Sequence, residues 1–126
     1  MMGSIGRTGQ VERMNRDIVQ IAEITVIRVS GTLKSWELLM EKEEFITLLD
    51  QGRTRFVFNL ESLVHLGSSS LGAILQCRRL ALERDAAIHL VVSPRQMELL
   101  EMTKLDEVFE SFTTEKAALA GFGGDV

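Results

Sequence analysis

The sequence predicts an α/β domain built on a mixed, mostly parallel sheet of four to five strands, with helices packed mainly on one face. Three observations predict it. Two runs dense in Ile and Val, residues 18–23 and 24–30, follow one another directly near the start. Short apolar segments then alternate with amphipathic ones, giving the order ββαβαβαβα. The later strand segments are apolar almost throughout, as strands covered on both faces are. Strands separated by helices need parallel crossovers, which are right-handed and lay each helix against the sheet. The first two strands pair antiparallel at one edge.

In order along the chain, Ile24, Val26, Ile27 and Val29 supply the β-branched enrichment of a strand, and Gly31 with Thr32 ends it. From Trp36 to Leu49 the period changes to that of a helix, with Leu38, Phe45 and Leu49 on one stripe flanked by Leu39, Ile46 and Leu48. Asp50-Gln51-Gly52 stops it, and residues 55–60 (Arg-Phe-Val-Phe-Asn-Leu) read as a central strand. After Leu66-Gly67 and three serines, Leu71, Ile74, Leu75, Cys77, Ala81 and Leu82 share an arc of a second helix, with Arg78 snorkelling at its margin. Residues 87–92 form another buried strand, and Ser93-Pro94 is an N-cap and first turn for a helix over 94–102. Residues 108–112 make a final short strand and 114–119 a last helix, which frays into Gly121-Phe122-Gly123-Gly124.

With 126 residues the chain fits one core and one domain. The expected layout is a flexible leader over 1–16, the folded domain over 17–122 and a flexible tail over 123–126. A net charge of -4 argues against nucleic acid, whose binding is dominated by Lys and Arg neutralising phosphates. Arg7, Arg13 and Arg16, and the pair Arg78-Arg79, have no interleaved aromatic residues and read as surface charge. Cys77, the one cysteine, cannot close an intramolecular disulfide, which fits a reducing cytoplasm. The sequence has no apolar run approaching a membrane span and no secretory signal at its start.

Catalytic and cofactor signatures are missing from the pattern. His65, His89 and Cys77 have no metal-ligand spacing, and His89, inside an apolar strand, reads as a strand-face residue. The segment Gly67 to Gly72 lacks both a P-loop lysine and the G-x-G-x-x-G order. It also departs from the G-x-S-x-G turn of serine hydrolases, leaving a hydrolase built on Ser68, with His65 nearby in sequence, as an outlying reading. Glu41, Glu43 and Glu44 read as a solvated helix face. The expectation is a binding protein with no enzymatic activity, cofactor or metal.

The stretch from Phe56 to Leu75 (FVFNLESLVHLGSSSLGAIL) resembles the signature segment of STAS domains, the anti-sigma-factor antagonists of bacterial regulation. Val29-Ser-Gly31-Thr-Leu33 is similar to that family's second strand and the turn after it, and Ser93-Pro94 to its third helix start. The likeness runs from about Asp17 to Phe122. It implies that Ser68 stands at the phosphoacceptor position and that Gly31, Thr32, Leu33, Gly67, Ser69, Ser70, Leu71 and Gly72 form the partner-binding surface. It implies as partner an anti-sigma factor with serine-kinase activity, bound only by the unphosphorylated protein, and a phosphatase that resets the switch.

Two positions depart from the family pattern: Gly67 replaces an Asp before the acceptor, and Ser70 replaces a Gly after it. Lys34 also stands near an acidic family position. Gly67 removes a carboxylate and permits positive φ. From spacing alone Ser68 is a helix N-cap, with Ser69 and Ser70 able to take over that role, so cap and phosphoacceptor both stand open. A non-switching subunit of a signalling scaffold or of a lipid-transporter complex is the alternative that tolerates these departures.

Overall fold

Side-chain alternation along the central strands decides what each face of the sheet can bury, and so where the helices pack. The computed structural model describes residues 15–31, 42–64 and 66–123. β1 (Asn15–Ile21) and β2 (Ile24–Gly31) form an antiparallel hairpin turning at Ala22 and Glu23. α1 (Lys42–Asp50), β3 (Arg55–Leu63), α2 (Ser68–Leu82), β4 (Ala87–Val91) and α3 (Pro94–Met102) follow. A single 3-10 turn (Leu105–Glu107) leads to β5 (Glu110–Phe112) and α4 (Glu115–Ala120). The strands lie in the order β1-β2-β3-β4-β5, and all neighbours after the first pair are parallel.

Because every crossover steps the same way across the sheet, right-handedness puts α1, α2 and α3 on one face. There Ile27, Val29, Phe56, Phe58, Leu60, Ile88 and Leu90 meet Phe45 and Leu49 of α1, Ile74, Cys77 and Ala81 of α2, and Leu100 of α3. Phe45 anchors this layer, its ring 4.9 Å from Phe56 and edge-on to Phe58 at 6.0 Å. The intervening residues Ile24, Val26, Val57 and Val91 face the other way and are covered by Ala118 of α4, with Phe112, Leu119 and Phe122 around them. His89 belongs to this rear face. Its Nδ1–H donates to the Ala118 carbonyl at 3.0 Å, and its ring stacks on Phe122 at 3.7 Å.

The element order agrees with the alternation of the sequence, while several boundaries move. β1 begins at Asn15, two residues before the expected domain start. Of the expected helix over 36–49, residues 36–41 lie outside the described residues, as do Thr32, Leu33, Lys34 and His65. β3 runs on through Glu61 and Ser62 to Leu63, because those two polar side chains sit exposed where the strand leaves the core. β5 starts at Glu110, since Val108 and Phe109 finish the turn after the 3-10 segment. Leu75 and Leu82 correct the wheel drawn for α2: they are 38% and 55% exposed. The buried arc is Ser70, Ala73, Ile74, Cys77 and Ala81, and at about 100° per residue both leucines fall more than 90° from its centre.

Candidate functional site

At the C-terminal ends of β2 and β3 the parallel ladder brings two distant segments together. Ser30 pairs with Ser62 and Gly31 with Leu63. Gly31 has φ of 94°, a conformation that glycine adopts without strain, and its carbonyl accepts from the Val64 N–H at 2.8 Å. The start of the β2–α1 connection is thus bonded to the β3–α2 loop. Gly31, read from sequence as part of one surface with the Gly67 to Gly72 turn, is bonded here to Val64, at the start of the loop that leads into that turn. Leu66 is buried and pins the loop to the core, while Val64 beside it is exposed.

α2 begins at Ser68 with Gly67 as its N-cap, so Ser68 is the first helical residue and not the cap. Gly67 contributes no side-chain acceptor, and its carbonyl takes the first intrahelical bond, from the Leu71 N–H at 2.9 Å. Its φ is -109°, so the positive-φ freedom of glycine is not used here. A Cβ at Gly67 would meet nothing within 4 Å, and neither would one at Gly72. The first turn has no acidic residue. Backbone N–H groups and the positive end of the helix dipole therefore face this turn without a carboxylate on the helix to answer them. Ser70, expected among the contact residues, is 2% exposed: its side chain packs inward, where a small residue lets the helix lie close on the sheet. Leu71 is half-buried and Gly72 exposed, at the edge of the turn.

Beside this turn lies the start of α3, with Ser93 as N-cap and Pro94 as first helical residue as the sequence predicts. Ser93 accepts from the Gln96 N–H and Gln96 accepts from the Ser93 N–H, a reciprocal capping box, with Pro94 in the first turn. Gln96 is buried and its amide also donates to the Leu60 carbonyl at 2.9 Å, tying α3 to the end of β3. Between this start and the β3–α2 loop runs a groove of about 450 Å³, lined by Leu63, Val64, Leu66 and Leu99 and by Arg95.

Burial pushes the Cys77 thiol up to about 12, leaving it protonated and unreactive at neutral pH. His89 belongs to the rear face of the sheet, where its Nδ1 is taken up by the Ala118 carbonyl of α4. Among the described residues, no cluster of His, Cys, Asp and Glu could hold a metal ion, and no helix is long and apolar enough to cross a membrane.

A polar tether on the rear face was not anticipated from the sequence. Asp17, Arg28 and Asn59 are register partners across β1, β2 and β3. The Arg28 guanidinium bonds Glu115 of α4 in bidentate fashion, at 2.7 and 3.0 Å, and the Asn59 amide donates to the same carboxylate at 2.7 Å. Hydrogen bonding from Arg28 holds the Glu115 carboxyl below the usual glutamate range, and Glu115 in turn raises the Arg28 guanidinium. The separation of 87 residues hides this pair from any local pattern.

Comparison with known proteins agrees with this architecture. A model of the STAS domain family matches residues 15–118. No curated protein matches the chain in sequence. Among solved structures, an anti-sigma factor antagonist from Mycobacterium paratuberculosis is similar with a TM-score of 0.74 and 17% identity, covering 88% of this chain and 95% of that one. The phosphorylated form of the Bacillus cell fate determinant SpoIIAA is similar with a TM-score of 0.63 and 23% identity, covering 82% of this chain and 96% of that one. The anti-sigma factor antagonist SpoIIAA in its unphosphorylated form gives 0.66 and 22%, covering 88% and 100%.

Proposed function

The chain belongs to the STAS domain family, and on that premise we propose that it is an anti-sigma-factor antagonist working by partner switching. In its unmodified state it binds an anti-sigma factor with serine-kinase activity. A phosphate placed on Ser68 by that kinase ends the contact, and a phosphatase restores it. The protein acts by binding and not by catalysis.

The observation that carries this reading is the position of Ser68 as first residue of an α2 whose N-cap brings no side chain, at the end of a loop whose start, Val64, is bonded to Gly31. A phosphate there meets unpaired backbone N–H groups and the positive helix end, so modification need not disturb the core. It adds about -1.5 to -2 charges to the contact surface, which repels an acidic partner and must be desolvated on binding. The contact surface comprises Gly31, Gly67, Ser69, Leu71 and Gly72, extended by Thr32 and Leu33 outside the described residues.

Titration of each purified anti-sigma kinase of the source organism against wild type, Ser68→Ala and Ser68→Asp tests the switch. Ser68→Ala should bind like wild type, and Ser68→Asp at least about tenfold more weakly, the effect of about 1.4 kcal/mol of repulsion and lost contact. Equal binding by both variants would instead favour a non-switching subunit. One observation supports that second reading: the backbone at Gly67 has room for a side chain and a φ that any residue adopts, so the missing Asp is not forced by the fold.

A further inference from the structure

The solvent face of α2 carries residues that the fold itself does not use. Positions 68, 72, 75, 79 and 82 are spaced by four and three, so they stay on one strip along the whole helix. Gly72, Leu75, Arg79 and Leu82 are all exposed on it, and Leu71 flanks it half-buried. From Ser68 to Leu82 the strip is about 21 Å long at 1.5 Å per residue.

Three properties of the strip point outward. Leucines at 75 and 82 expose apolar surface at a spacing of seven, the pattern that a docked helix reads. The sequence of α2 holds two arginines and no carboxylate, in a chain whose net charge is -4. Arg78 lies 6.0 Å over the Phe109 ring, but Arg79 has no ion pair or side-chain hydrogen bond among the described residues. Finally, a glycine inside a helix is destabilising, yet Gly72 is not needed for packing, because a Cβ there meets nothing within 4 Å. Its missing side chain leaves a notch where another backbone can approach closely.

We infer that an acidic amphipathic helix of the kinase partner docks lengthwise along α2. Its apolar side chains cover Leu71, Leu75 and Leu82, its backbone crosses at Gly72 and a carboxylate pairs with Arg79. The inference rests on the proposed function and names the chemistry of that partner. Ser68 heads the same strip, so a phosphate there stands in the path of an acidic helix and repels it.

The test titrates the purified anti-sigma kinase against wild type, Gly72→Leu, Leu82→Ser and Arg79→Glu, at low and high salt, with thermal melts and sedimentation of the chain alone. Gly72→Leu should raise the melting temperature while weakening binding about tenfold or more, a combination that a purely structural role cannot produce. Leu82→Ser should weaken binding about fivefold or more, and Arg79→Glu should weaken it most at low salt. If wild type binds and the Gly72 and Leu82 variants bind within about twofold of it, lengthwise docking is wrong and the proposed function stands. If no kinase binds wild type, both fall. Self-association that Leu82→Ser abolishes, with kinase binding unchanged, would assign the strip to a second copy of this chain and overturn the inference.

Discussion

α2 and α3 begin at the same end of the sheet, a few residues beyond neighbouring strands, and their first turns are built in opposite ways. At α3, Ser93 and Gln96 satisfy each other's backbone groups, Pro94 removes a donor that would have no partner, and Gln96 reaches on to the Leu60 carbonyl. At α2, Gly67 caps nothing with its side chain and no acidic residue sits in the first turn. A helix start costs stability when its N–H groups are left to water, so the closed start serves the fold. The open one remains available to a group that arrives later. The contrast separates what holds the domain together from what it presents to a partner.

Breaking the closed start should have the largest effect. Gln96→Met keeps the volume but leaves the Ser93 N–H and the buried Leu60 carbonyl without their partner, which should cost about 2–3 kcal/mol. A lowered urea midpoint with an unchanged slope reads this out, and a loss under about 0.5 kcal/mol would show that the capping box does not hold α3.

The start of α4 offers an intermediate case, closed by Thr114 and by the ion pair of Glu115 with Arg28. Glu115→Gln should cost about 1 kcal/mol, discounted because Arg28 is 41% exposed and screened by solvent. Since the folded carboxyl titrates below its unfolded value of about 4.3, its stabilisation is present above that pH and is lost as pH falls through the lower folded value. Wild type and Glu115→Gln should therefore converge in stability over that acid window. A gap that stays constant down to the lowest pH would contradict the role given to the carboxylate.

Closing the open start should have the smallest effect and the opposite sign. Gly67→Asp has room for its side chain and an allowed φ. By stiffening the unfolded chain and capping a positive helix end it should stabilise by about 0.5–1 kcal/mol, seen as a higher melting temperature. A destabilised variant would mean that the α2 start is already satisfied.

What could be read from the sequence follows from how local each signal is. The α3 start was legible because Ser93 and Pro94 are an adjacent cap and first-turn pair, while the reciprocal bonds of Gln96 emerge only in the structure. The α2 start shifted because three serines read equally well as loop, cap or first turn, and only tertiary position makes Gly67 the cap. Leu75 and Leu82 share the apolar arc by hydrophobicity, which alone does not say which leucines stay outside. The Arg28–Glu115–Asn59 tether joins residues far apart in sequence and left no local trace. The grouping of Gly31 with Gly67 to Gly72 comes from resemblance, and the ladder shows only that Gly31 pairs with Leu63 and bonds Val64.

The most direct measurement of the central claim is intact-mass and fragment analysis of the purified protein after incubation with its anti-sigma kinase and ATP. The account predicts a single added phosphate, mapped to Ser68 and absent in Ser68→Ala. No phosphate, or one carried by another residue while Ser68 stays unmodified, would contradict it.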